Sequence, residues 1–474
     1  MKTVAGLFGS SWGLRSINKR PTGEVADAAA GATGPWPTPR RGARFIGLAA
    51  LSLSLLPACD SLWRPYLDSQ ICDPSGARCI TTGENRIRFV PGSGIDPAWF
   101  GEAQVELQPS QDLVIDTDQG TIVTASGTPL LDVVYRQTTP ADCGGGALVG
   151  IGVFSFLQIH IPDGIRVRVT GSRALALIAP GPIKIEGLLD LRGGLPECSD
   201  FRCGGPGGFA GGFVRMPAQR GEGPGAGAWG YGVGGDGSEA GGGGGGACGQ
   251  GGKGGDAAPG NLGGVGGQPY LQPSLIPLCG GSGGGSGGPG TSTGDPGQRG
   301  GGGGGAVQLA SQTAVVVGSS TSAPSGIQAG GGAGQGDHGM NFNDGGGGGG
   351  SGGAILIEAP RIRIAEGAVL AVNGGGGGGG FNGGALMDTK DGQPASLSSM
   401  PAAGGVGQRS GGAGGAGATL AGADASGMVA DGGAGGGGGV GRIRLNSLDG
   451  NAAIAGELSP PLGECSSSGT ITPL

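Results

Sequence analysis

Aromatic side chains make up only 4% of this 474-residue sequence, charged side chains only 13%, and histidine occurs twice, at His160 and His338. So few imidazoles leave little basis for acid–base or metal chemistry near neutral pH. Lysine is scarce as well (Lys2, Lys19, Lys184, Lys253 and Lys390), and a net charge of −7 supplies no basic field for a nucleic-acid partner. No apolar run reaches the ~20 residues a membrane-spanning helix needs. No long segment repeats with the helical period of 3.6. No two cysteines have CxxC spacing and both histidines lie far from clustered cysteines, which argues against zinc. Neither a metal nor a cofactor is expected.

Glycine is abundant, with 122 residues, and 32 prolines bring the two together to about a third of the chain. Such a composition without a G-X-Y period normally marks low complexity. Disordered chains, however, are usually rich in charge and poor in apolar residues, and the mean hydropathy here is +0.01. Position along the chain therefore has to decide.

Residues 40–59 read RRGARFIGLAALSLSLLPAC. Arg40, Arg41 and Arg44 precede an apolar run from Phe45 to Leu56, too short to span a bilayer but suited to a signal peptide. The ending Leu56-Pro57-Ala58-Cys59 resembles a bacterial lipobox, which implies cleavage before Cys59 and its acylation. Residues 1–39 are a leader, within which residues 1–24 read as a misassigned start; 40–58 are the signal peptide. Eight cysteines then remain: Cys72, Cys79, Cys143, Cys198, Cys203, Cys248, Cys279 and Cys465. An even number in an oxidising compartment suggests up to four disulfides. Local pairing would join Cys72 to Cys79 and Cys198 to Cys203, leaving Cys248–Cys279 and Cys143–Cys465.

Short period-two runs fill residues 156–194. Ile159 and Ile161 alternate with Gln158 and His160; Ile165, Val167 and Val169 alternate with Arg166 and Arg168; Ile183 and Ile185 flank Lys184. Alternation bounded by Gly, Pro or Asp signals strands. The unit returns. Ala174-Leu-Ala-Leu-Ile-Ala-Pro180 matches Ala354-Ile-Leu-Ile-Glu-Ala-Pro360, and Ile183-Lys-Ile185 matches Ile362-Arg-Ile364. A blurred copy runs from Ala306 through Val315-Val316-Val317 to Ile327, and part of another spans Arg442–Leu445 and Ile454–Leu458. Repeated strand units bury their faces on one another. The expected class is all-β: a parallel β-solenoid, with a right-handed β-helix as its form and long glycine-rich insertions. A β-sandwich is the competing architecture. Residues 59–100 would be a disulfide-containing linker, 101–155 an N-terminal β cap with a hairpin around Asp116–Gly120, 156–460 the solenoid and 461–474 a tail.

The glycine tracts, roughly 193–305, 330–353 and 373–441, lie between these units. Glycine costs ~0.5–1 kcal/mol relative to alanine in a regular element, so the tracts cannot be independent strands. They are either projecting loops or polyglycine-II-like helices that pair their backbones with one another. Tethering side by side on one scaffold favours the second. The lipobox, the strand unit ending in Gly193-Gly194 and the tracts returning to Gly353-Ala354-Ile355-Leu356-Ile357 resemble the glycine-rich surface lipoproteins of myxobacteria. The tracts also resemble the PGRS part of mycobacterial PE-PGRS proteins, without the PE domain. These resemblances imply an envelope location, in the outer membrane or at the cell surface, and no reaction.

Isolated motif matches are weak at this glycine density. Gly284-Gly-Ser286-Gly-Gly288 lacks the flanking strand and helix of a nucleophile elbow. Gly251 to Asp256 matches only part of a calcium nonapeptide, and Asp116 and Asp118 begin a calcium loop that no glutamate closes. Arg-apolar-Arg pairs are more distinctive: Arg166 and Arg168, Arg361 and Arg363, Arg442 and Arg444. Stacked in one wall they would form a cationic stripe able to hold anionic polysaccharide or lipopolysaccharide; paired with Glu186, Glu358 or Glu366 they would only serve solubility. The expected function is non-enzymatic, structural or adhesive, with a membrane partner through the lipid anchor. The alternative is a polysaccharide-binding or polysaccharide-degrading β-helix protein, which needs carboxylates converging on neighbouring strands.

Overall fold

The structure is a computed structural model. It describes residues 86–130, 132–194, 203–213, 218–232, 239–257, 260–288, 297–318, 325–337, 344–380, 389–426 and 432–474, with the backbone of a ribbon at Ile71–Cys72 and Cys79–Ile80. The chain divides into units 1–61 and 62–474, and every described residue belongs to the second. The signal peptide and Cys59 lie outside the described residues, as does His338.

The period-two segments are strands, and almost all of their pairing is parallel. Sheet one contains, in spatial order, Val134–Gln137, Ile151–Ser155, Ala174–Ala179, Ala306–Ser311, Ala354–Glu358, Arg442–Ser447 and Ser466–Thr470. Sheet two contains Ile159–Ile161, Ile183–Ile185, Val315–Val317, Ile362–Ile364 and Ala453–Ile454. Sheet three contains Thr121–Thr124, Leu113–Asp116, Arg166–Thr170, Leu188–Asp190, Ser325–Gln328, Ala368–Ala371 and Glu457–Ser459. From Ile151 to Ser459 the chain therefore visits sheets one, two and three in turn, five times, each circuit lying parallel to the last.

Alternation now has a physical meaning. In sheet one Phe154, Leu177, Leu309, Ile357 and Leu445 are in register. Val167, Leu189, Ile327, Leu370 and Leu458 form the matching column in sheet three. Ile159, Ile183, Val315 and Ile362 do so in sheet two. All belong to one buried cluster shared by the three sheets, each side chain worth ~1.5–3 kcal/mol on burial. The sequence-matched units Ala174–Ile185 and Ala354–Ile364 lie in the same sheets, separated by the blurred copy.

The proposed hairpin is present. Leu113–Asp116 pairs antiparallel with Thr121–Thr124 and adds to the edge of sheet three beside Arg166–Thr170. Asp116 Oδ1 accepts from the Asp118 and Gln119 N–H groups at 2.8 and 2.9 Å and closes the turn. Three expected boundaries move. The parallel circuits start at Ile151, not at 156. Part of the expected linker packs on the outer face of sheet one through Phe89, Ile95 and Phe100. The expected tail supplies a strand, Ser466–Thr470, to sheet one, and Leu474 N–H bonds to the Arg88 carbonyl at 2.9 Å. Its polar sequence, Ser-Ser-Ser-Gly-Thr, hid a strand that needs no apolar face because it only closes the sheet edge.

Ile357→Ala should cost about 2–5 kcal/mol, since the column leaves a cavity that neighbouring circuits cannot fill. Urea unfolding of the two proteins measures it; a loss below about 1 kcal/mol would contradict a shared core.

Candidate functional site

All three glycine tracts leave the sheets at the same corner, after a sheet-three strand and before the next sheet-one strand. Their described parts are largely buried. Gly241–Gly246 shows how. The N–H groups of Gly241 and Gly244 donate to Gly255 and Gly252, those of Gly242 and Gly245 to Gly346 and Gly349, and those of Gly243 and Gly246 to Ala228 and Gly225, all at 2.8–2.9 Å. Its carbonyls accept from Gly264 and Gly267, from Gly436 and Gly439, and from Gly285. Bonding direction thus repeats every third residue, and one segment has six neighbours. Gly346–Gly353 repeats the arrangement with the segments around Gly433, Gln335, Gly285, Gly242, Gly375 and Gly301.

Six neighbours leave no direction for a side chain. A Cβ at Gly348 would run into the Gly243 carbonyl, well inside the 3.0 Å limit of real contacts. Rim segments have a free side, and there the sequence changes to one side chain every third residue: Gln250-Gly-Gly-Lys253-Gly-Gly-Asp256 and Leu262-Gly-Gly-Val265-Gly-Gly-Gln268. Leu262 and Val265 are each 62% exposed. Beside them, Trp229 and Tyr231 are exposed on the segment whose Tyr231 N–H bonds to the Leu262 carbonyl. The serines inside the bundle pair internally. Ser286 Oγ bonds to the Gln219 carbonyl at 3.0 Å, and Ser351 Oγ to the Ser282 carbonyl at 3.2 Å. Ser286 is therefore packing, not a nucleophile elbow. Lys253 pairs with Asp256 at 2.8 Å, a rim ion pair inside the partial nonapeptide.

Among the described residues, the disulfides Cys143–Cys279 and Cys248–Cys465 tie the bundle to the sheets. The expected Cys248–Cys279 and Cys143–Cys465 pairs are wrong. Nearness in sequence guided that pairing, whereas the bundle places Cys279 beside the N-terminal cap and Cys248 beside the last strand of sheet one. Cys203 is disulfide-bonded; Cys198 lies outside the described residues. The backbones of Cys72 and Cys79 face each other across an antiparallel ribbon.

The arginine pairs do not stack. Arg166 and Arg168 are on sheet three, Arg361 and Arg363 at sheet two, Arg442 and Arg444 on sheet one. Each pair does face away from its inward neighbour (Val167, Ile362 or Ile443). The expectation failed on phase: Arg442-Ile443-Arg444 aligns with Ala354-Ile355-Leu356, not with Arg361-Ile362-Arg363. Of the expected glutamates, Glu186 and Glu358 hydrogen-bond to other groups, although the Arg444 charge does act on Glu358. Glu186 bonds His160 Nε2 at 2.5 Å and Lys184 Nζ at 2.8 Å on sheet two. Glu358 accepts from Gly92 N–H at 2.9 Å, Gln308 at 2.6 Å and Asn446 at 3.2 Å, and burial raises its pKa above the usual value. The His160–Lys184–Glu186 cluster escaped notice, although overlaying Ile159-His-Ile161 on Ile183-Lys-Ile185 would have put His160 beside Lys184, as the register does.

Arg166 instead meets the fully buried Asp190, which Arg192 clasps through Nε and Nη2, both at 3.0 Å. Burial alone would raise the Asp190 pKa, but Arg192 and then Arg166 outweigh it and hold the carboxyl below its usual range. Asp118 is likewise occupied, by Ser172 and Arg173 at 2.8 Å, so it is not an open calcium ligand. A cleft of about 410 Å³ lies between Thr138, Thr139, Val149, Ile276 and Leu278, and no titratable side chain lines it. Among the described residues no group of three or more His, Cys, Asp or Glu could hold a metal.

Gly348→Ala should destabilise the protein by about 1–3 kcal/mol, while Val265→Ala should stay within about 0.5 kcal/mol; denaturant midpoints test both. Because Asp190 has a depressed folded pKa, its contribution is present at neutral pH and is lost as pH falls through that value. Asp190→Asn should thus lower Tm at pH 7, and the gap from the parent should close on acidification; a gap constant with pH would contradict the ion-pair role. No protein-family model, curated protein or solved structure matches this chain.

Proposed function

We propose that this chain is a non-enzymatic, lipid-anchored envelope protein in which a parallel β-solenoid holds a polyglycine-II-like bundle as a stiff structural or adhesive surface outside the cytoplasm. The carrying observation is the period-three bonding of Gly241–Gly246 to six neighbours. Three residues per turn is the repeat of the polyproline-II family of helices. Five successive circuits through the same three sheets support the solenoid. Such a body turns glycine, normally a source of chain entropy, into a packed solid whose stiffness comes from main-chain bonds.

Export is supported by chemistry as well as by the signal-like segment. Disulfides joining residues 136 and 217 positions apart persist in oxidising compartments and are rare in the cytosol. The lipobox-like Leu56-Pro57-Ala58-Cys59 supplies the anchor, and the rim residues of the bundle would be what the surroundings meet.

In the native host, Cys59→Ser should abolish incorporation of labelled palmitate and shift the protein from the membrane to the soluble exported fraction. Protease added to intact cells should cut the anchored protein only if it stands at the surface. Recovery in the cytosol with reduced thiols would overturn the envelope reading. Fast amide hydrogen exchange across 241–246 and 345–350 would overturn the bundle.

A further inference from the structure

The two described disulfides differ in one respect that their pairing does not require. Arg442 is buried at 7% exposure. Its guanidinium donates to Cys248 Sγ at 2.9 Å and to the Glu464 carbonyl at 2.7 Å. Its Nε has no partner, and among the described residues it makes no ion pair. Burial lowers its pKa, with Glu464 supplying only a partial opposing field. A buried cation thus faces a neutral sulfur. Around the bond lie Val440 and Leu420; the charged groups that bear on the site are Arg442, Glu464 and, through its repulsion of Arg442, Arg444. No cation is hydrogen-bonded to Cys143–Cys279 among the described residues.

We propose that Cys248–Cys465 is a thiol–disulfide exchange site, poised by Arg442, through which a dithiol releases the glycine bundle from the last circuit of the sheets. Cys465 is fully buried, so the exchange proceeds from a local opening of the last strand. A thiolate of the dithiol attacks Cys465 Sγ; the S–S bond breaks and Cys248 leaves with the electron pair as a thiolate opposite Arg442. The second thiol of the reagent, having given its proton to solvent, then attacks the mixed disulfide. The reagent closes its own disulfide and Cys465 departs and is protonated. Two electrons pass to the protein and one proton goes to solvent. The Cys248 thiolate neutralises the buried guanidinium, so the reduced state gains an ion pair that the oxidised state lacks. Cationic neighbours are what lower thiol pKa values and favour the reduced form. Reduction frees one tether while Cys143–Cys279 keeps the other, so the bundle loosens at one end only.

The full chain, equilibrated at graded ratios of reduced to oxidised dithiothreitol, acid-quenched, alkylated and mapped by mass spectrometry, tests this. Equilibrium is read, not rate, because Cys143 is more exposed than Cys248. Cys248–Cys465 should be half-reduced at about a tenfold lower ratio than Cys143–Cys279. Arg442→Gln should raise its midpoint by about tenfold and leave Cys143–Cys279 unchanged, with Arg442→Lys between. Coincident midpoints in the parent, or an unmoved Cys248–Cys465 midpoint in Arg442→Gln, would overturn the proposal. Should Arg442→Gln fail to fold, the pH profile of Cys248 alkylation in the reduced parent decides. Half-reaction well below the ordinary thiol value of about 8.5 supports it; a value at or above that rejects it.

Discussion

The whole arrangement depends on pairing backbone N–H and C=O groups that are removed from water. A buried, unpaired peptide group costs about as much as a lost hydrogen bond, and the glycine tracts have almost nothing but peptide groups to offer. Their glycine runs have no side chains to bury in a hydrophobic core, although Leu271, Leu275 and Leu278 of the first tract do join the buried cluster on the outer face of sheet one. The runs are held by one another, six segments around each interior one, at spacings that a Cβ would forbid. The parallel sheets make this possible by releasing every tract from the same corner, so that segments far apart in sequence start out side by side.

Two kinds of order therefore coexist in one chain. In the sheets, specificity resides in side chains: columns such as Leu177, Leu309, Ile357 and Leu445 fix which circuit lies above which. In the bundle, specificity resides in their absence, and its register is inherited from the sheets and from the two disulfides that clamp it. Loss of the columns would leave the glycine segments without a common origin.

The strand repeat was legible because aliphatic alternation encodes burial directly, and even the degenerate copy around Val315–Val317 is a full circuit. The corner from which the tracts leave could be read in the same way. The phase of the arginine pairs could not be read from the triplets alone: Arg442-Ile443-Arg444 and Arg361-Ile362-Arg363 look alike locally, and only the alignment with Ala354–Glu358 separates them. Disulfide partners were hidden because loops of 136 and 217 residues close through the bundle, whose path no local pattern encodes. One signal was present and unused. The xGG spacing at 250–256 and 262–268, against uninterrupted glycine at 241–246, distinguishes rim from interior on the page of the sequence itself.

That spacing has a consequence for how such a surface changes over time. In the proposed polyglycine-II-like bundle, a three-residue turn rising about 3.1 Å per residue puts successive rim side chains roughly 9 Å apart along a straight rod. Mutation at those positions can rewrite the texture of the exterior, from Leu and Val to Lys and Asp, without touching the lattice beneath. The protein thus behaves like a printed grid: a fixed backing of glycine, with every third character open to editing.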